Sequence, residues 1–177
     1  GLMPTHIDST ELQALGRRLA RVASDAPREI SRAVSSIARA GATEAKRSAA
    51  AVYALPSGRI ADDIRVSQSA DAVEITGRKR PPTLLAYGAN RTKRGLSVRV
   101  LRGGPRTTLR RAFVVDRLRL PFERVGADRF PIRVLYGPSV ADMLNNPRVL
   151  TPMQERLILR GTTELQRRIA RAISGAD

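Results

Sequence analysis

Apolar residues at Leu12, Leu15, Leu19 and Val22 recur at the three-and-four spacing of one buried helical face, with Arg17, Arg18 and Arg21 on the other. Asp8, followed three residues later by Glu11, supplies a capped start. Proline is tolerated in the first turn of a helix, where its missing N–H has no partner to lose. A second helix is therefore predicted to begin around Pro27, with Ile30, Val34, Ile37, Gly41, Ala45, Ala49 and Val52 as its seam. That seam starts bulky and ends small. Gly41, Ala42, Ala45, Ala49 and Ala50 would admit another backbone at close range, as where a helix packs on a sheet or on a neighbouring subunit. Leu55-Pro56-Ser57-Gly58 ends the helix, and a short helical turn is expected at 59–63.

The period then changes from helical to strand-like. Ile64, Val66 and Gln68 alternate with Arg65, Ser67 and Ser69, and Ala72-Val73-Glu74-Ile75-Thr76 is the expected partner across a tight turn at Ala70-Asp71. Pro81-Pro82 interrupts. A further strand is read over Gly95–Leu101, and Gly103-Gly104-Pro105 turns the chain toward another at Ala112–Val115. Phe130–Tyr136 forms a short strand ended by Gly137-Pro138. Ser139 and Asp142 then match a capping box ahead of a short helix with Val140, Met143 and Leu144 inside, stopped at Asn145-Asn146-Pro147. Thr151-Pro152 is read as the cap of a final helix reaching about Ser174, burying Leu157, Ile158, Leu165, Ile169 and Ile173, with Arg160, Arg167, Arg168 and Arg171 outside. The expected class is α+β in one domain over 1–177. It comprises an N-terminal helix pair (about 8–55), one antiparallel sheet with long basic connections (about 64–136) and C-terminal helices (about 139–174).

Composition narrows the chemistry. The 177 residues include no cysteine, no tryptophan and a single histidine, His6, so disulfide scaffolds, thiol nucleophiles and Cys/His zinc sites are excluded. A Ser-His-Asp hydrolase would have to draw its base from His6. The longest apolar run, Ala49–Leu55, is far shorter than the roughly 20 residues that span a bilayer, and no signal peptide is read at the N-terminus. A soluble, intracellularly made protein without a membrane partner is the expectation.

Charge changes the picture further. Lys and Arg number 32 against 16 Asp and Glu, a net +16. No acid occurs between Glu74 and Asp116, while Arg78, Lys79, Arg80, Arg91, Lys93, Arg94, Arg99, Arg102, Arg106, Arg110 and Arg111 all fall there. An arginine-rich composition explains the choice of Arg over Lys but not the missing acids. Such a segment suits a polyanion, an acidic surface or solvent. Arg91, Lys93, Arg94, Arg99, Arg102 and Arg106 are the DNA-facing candidates. Aromatic residues are scarce and not interleaved with the bases, so any contact is phosphate-directed and sequence-blind.

No catalytic constellation emerges, and no cofactor motif. Asp62-Asp63, the only adjacent acidic pair, could serve a metal-dependent nuclease or simply end a helix. Arg102-Gly103-Gly104-Pro105-Arg106 lacks the Gly-Lys-Ser/Thr ending of a phosphate loop and reads as a hairpin tip; Gly95 and Gly137 read as turn residues.

The run Phe130-Pro131-Ile132-Arg133-Val134-Leu135-Tyr136-Gly137-Pro138-Ser139-Val140, followed by Met143-Leu144, resembles the signature of the minor tail protein Z family of long-tailed phages and prophages. Other marks occur in the family's order: an Ala/Arg-rich helical N-terminus, Ile64-Arg65-Val66, the basic segment Gly88–Val98, and Ala112-Phe113. The resemblance covers most of the chain. It implies a non-enzymatic tail-completion protein of the virion, made in the host cytoplasm and acting at the head-proximal end of the tail. Implied partners are further copies of the chain, since hexameric rings are common there, with the tail terminator, neck or connector proteins, the tail tube, and genomic DNA in the lumen. Carried over are the Pro131–Leu144 strand–turn–helix and the Arg91-Lys93-Arg94 loop. Ile132, Leu135, Tyr136, Gly137, Pro138, Ser139 and Ala45 are the candidate subunit or partner contacts; Tyr136 could be core or anchor. The alternatives are a stand-alone, non-specific DNA-binding protein and a nuclease using Asp62-Asp63.

Overall fold

A computed structural model of the chain describes residues 9–69 and 72–174. The expected cap at Asp8 and the Ala70-Asp71 turn lie outside them, as do the side chains of Leu12, Leu15, Leu19, Val22 and Ile173. The α+β class holds.

The N-terminal pair is instead one helix, α1, running Ser9–Val52 straight through Pro27. Proline removes one backbone bond and crowds the preceding turn, which costs an exposed helix about 3 kcal/mol but does not forbid it. It runs on alongside the C-terminal helix: two residues beyond Pro27, Glu29 meets Arg168 of that helix at 3.5 Å. A short helix, α2 (Ser57–Asp62), follows, with Ile60 buried.

Three small antiparallel sheets replace the single one expected. Strands β1 (Ile64–Gln68) and β2 (Val73–Gly77) pair with Val66 opposite Ile75. After a 3₁₀ turn at Leu84–Tyr87 come β3 (Asn90–Thr92), β4 (Gly95–Val98) and β5 (Thr107–Leu109), with β4 central. The third sheet joins β6 (Ala112–Val115), β7 (Leu120–Arg124) and β8 (Ile132–Val134), with β7 central. Prolines at 81 and 82 lie in the connection after β2 and Pro105 in the β4–β5 connection, where no ladder donor is needed, while Pro121 sits within β7. Single bridges tie the pieces together, Tyr53 with Leu101 and Thr83 with Tyr136.

Helix α3 (Val140–Asn145) matches the sequence reading, whereas α4 (Pro147–Ser174) starts four residues before Thr151 and contains Pro152. The Asn146 side chain accepts from Arg148 N at 3.0 Å and its carbonyl accepts from Val149 and Leu150 at 2.8 Å. Asn146-Pro147 therefore both stops α3 and starts α4, with proline where its missing N–H is harmless.

The buried line of α4 is Val149, Met153, Leu157 and Gly161, a strict four-residue ridge. Ile158, expected inside, is 68% exposed, and Ile169 is also exposed. Adjacent residues on a helix point about 100° apart, and close approach at Gly161 fixes which one faces α1: a Cβ there would meet Ile37 Cγ1 at 3.2 Å. Arg168, expected outside, turns onto α1 to meet Glu29, and Arg156 meets Glu44 at 3.7 Å. These pairs set the antiparallel register of the two long helices. The small end of the α1 seam packs within the chain: Gly41 lies under Ile75 of β2, and Ala45 and Ala49 are fully enclosed. Among the described residues no helix is long and apolar enough to cross a membrane.

Candidate functional site

The Pro131–Leu144 segment is held rigidly by two devices. Following β8, Tyr136 bridges Thr83, and Gly137 N donates to Pro82 O at 2.9 Å. Gly137 then lies flat on the Tyr87 ring, and a Cβ would stand 2.7 Å from Tyr87 Cζ. Its glycine identity therefore follows from close approach rather than from a turn conformation. The Tyr87 hydroxyl donates to Pro138 O at 2.6 Å, and burial raises its pKa above the ordinary phenol value.

The second device is the cap. Asp142 N donates to Ser139 Oγ at 3.2 Å, while Asp142 Oδ2 accepts from Ser139 N at 3.0 Å and from Ser139 Oγ at 2.6 Å. The hydroxyl first, and the backbone N–H second, hold the Asp142 carboxyl below its ordinary value. Val140 and Met143 are fully buried beneath it.

This scaffold leaves Tyr136 outside, 54% exposed and without a hydrogen-bonded hydroxyl among the described residues. Its ring lines a groove of about 590 Å³ shared with Arg59, Asp62, Arg78, Pro81 and Leu120. Of the other candidate contacts, Ile132 is half-buried in β8, and Leu135 packs on the core and donates to Pro121 O at 2.8 Å. Pro138 is half-buried and Ser139 buried in the cap. Ala45 is a correction: at 0% exposure in the single chain it has no surface to offer a subunit, because α1 closes on the rest of the core there.

The basic candidates divide. Arg91 pairs with Asp116 and donates to Val114 O, Arg102 reaches Ala50 O at 2.9 Å, and Arg106 binds Gly88 O at 3.0 Å and Ser97 O at 3.1 Å. These three guanidiniums tie loops to the fold. Lys93 and Arg94, at the β3–β4 turn, and Arg99 are exposed and make no side-chain hydrogen bond or ion pair among the described residues. Tight packing shapes that turn. Gly95 has φ +125°, and a Cβ there would meet Arg110 Cα at 2.9 Å.

Asp62 and Asp63 gain no third carboxylate. Asp63 meets Arg78 at 3.6 Å, and among the described residues no three His, Cys, Asp or Glu side chains converge. Sequence reasoning missed Tyr87, whose only signal is an aromatic within Leu84-Leu85-Ala86-Tyr87 after two prolines, and the Glu29–Arg168 and Glu44–Arg156 pairs, which have none.

Compared with protein-family models, curated proteins and solved structures, the chain matches none.

Proposed function

We propose that the chain is a structural tail-completion protein of a long-tailed phage or prophage, assembling as a ring at the head-proximal end of the tail, around the passage used by the genome. The observation that carries the reading is the Phe130–Leu144 motif, an aromatic presented on a rigid platform. Tyr87 and the Ser139–Asp142 cap lock the backbone on both sides of Tyr136, whose ring stays in solvent. Exposed aromatics on preorganised backbone are what interface anchors require, since little entropy is lost on docking. The exposed, unpaired Lys93, Arg94 and Arg99 support a surface that faces an anion, with the genome as the anion in a ring.

Negative-stain imaging and solution mass of the purified chain test this. Closed rings of one stoichiometry are expected for the wild type, and their loss for Tyr136→Ala, with an unchanged melting temperature at concentrations where neither protein assembles. A chain that stays monomeric at high concentration and binds duplex DNA tightly in physiological salt would overturn the ring in favour of a stand-alone DNA-binding protein.

A further inference from the structure

A second cationic feature lies outside the six sequence candidates. The β5–β6 turn (Arg110-Arg111) faces the end of β7 (Arg124) and Gly126 across a pocket of about 280 Å³ that no carboxylate lines. Each guanidinium is placed differently. Arg111 donates to the Gly126 carbonyl, which pins the loop after β7. The Arg124 guanidinium sits over Phe113, 5.5 Å from the ring centroid. The Arg110 side chain makes no hydrogen bond or ion pair among the described residues. The neighbouring acid, Glu123, points to the opposite face of its strand and is taken by Arg133 at 2.6 Å.

Three like charges around one pocket favour the entry of an anion, and guanidinium forks match the oxygens of phosphate. We infer that Arg110, Arg111 and Arg124 form a phosphate-binding pocket, taking the phosphates of a nucleic-acid backbone or of a small free phosphate compound. Phe113 is already stacked on Phe122 at 6.1 Å and covered by Arg124, so it offers no platform for a base. The pocket reads phosphate alone. The inference does not rest on the tail-completion reading.

Two titrations of the full chain separate the sources: mixed-sequence duplex DNA across a salt series, and inorganic pyrophosphate followed by melting temperature. If the backbone is the source, Arg110→Ser with Arg124→Ser makes the slope of log affinity against log salt shallower by about 1.8, two contacts at roughly 0.9 each. If free phosphate is the source, the same pair abolishes the rise in melting temperature given by pyrophosphate. The exposed pair Arg47→Ser with Arg160→Ser should alter neither response. Lysine at 110 and 124 keeps the charge but loses the fork, and should weaken pyrophosphate protection severalfold even if the serine pair fails to fold. A folded serine pair with both wild-type responses, a control pair with equal losses, a wild type that answers neither probe, or, where pyrophosphate protects the wild type, a lysine pair protected equally overturns the pocket.

Discussion

Gly137 and Tyr87 form a contact in which neither partner can yield. The ring is buried and its hydroxyl is fixed on Pro138 O at 2.6 Å, so a methyl group at 137 must displace backbone. Gly137→Ala is expected to destabilise the chain by roughly 1–3 kcal/mol in urea unfolding. Tyr87→Leu should recover part of that loss in a double-mutant cycle, because it removes the obstructing ring edge. At Ser139 the loss is of a cap: Ser139→Ala should cost about 1 kcal/mol at neutral pH. Its pH dependence follows from Asp142. A carboxyl held below its ordinary value adds stability that is complete above the unfolded pKa, near 3.9, and is lost as pH falls through the lower folded value. The gap between wild type and Ser139→Ala should therefore narrow on acidification through that window, as unfolding curves at stepped pH would show.

At the scale of elements, α1 and α4 act on each other. Alone, the segment around Pro27 reads as a helix boundary; beside α4 it is an interior turn. Pro27→Ala should then stabilise the chain, by up to about 3 kcal/mol, because it restores a backbone donor within a helix that already exists. A fall in stability would show that the helix does not continue through 27. Ala45 gives the opposite sign. Enclosed on all sides, it has no room for a larger residue, and Ala45→Trp should cost at least about 1–3 kcal/mol through overpacking, measured by thermal melting at concentrations where assembly is absent.

At the scale of the whole molecule, an excess of 16 positive charges is divided between arginines that build and bases that remain available. Arg91, Arg102 and Arg106 bond to backbone carbonyls of other segments, doing in loops what longer strands would do in a larger sheet. Replacing these three with serine should lower the melting temperature. Replacing Lys93, Arg94 and Arg99 should leave it unchanged while making the salt slope of duplex binding up to about 2.7 shallower, at roughly 0.9 per lost phosphate contact. If the two sets behave alike in both measurements, the division has no functional meaning.

Local signals were sufficient wherever the chemistry is local. The β1–β2 alternation, the Ser139–Asp142 capping box, the burial of Val140, Met143 and Leu144 and the strand at 112–115 all depend on residues a few positions apart, and all were legible in the sequence. So was the acid-free basic segment, since net charge needs no coordinates. Tertiary structure decided the rest. Whether the chain stays helical through Pro27 is settled with a second helix, distant in the chain, packed alongside; whether Leu157 or Ile158 faces inward depended on Gly161 meeting Ile37; which arginines are free depended on the carbonyls that loops brought near them. The sequence allows Tyr136 either core or surface for the same reason, because a turn pattern carries no record of what packs beneath it, and here Tyr87 already occupies that place.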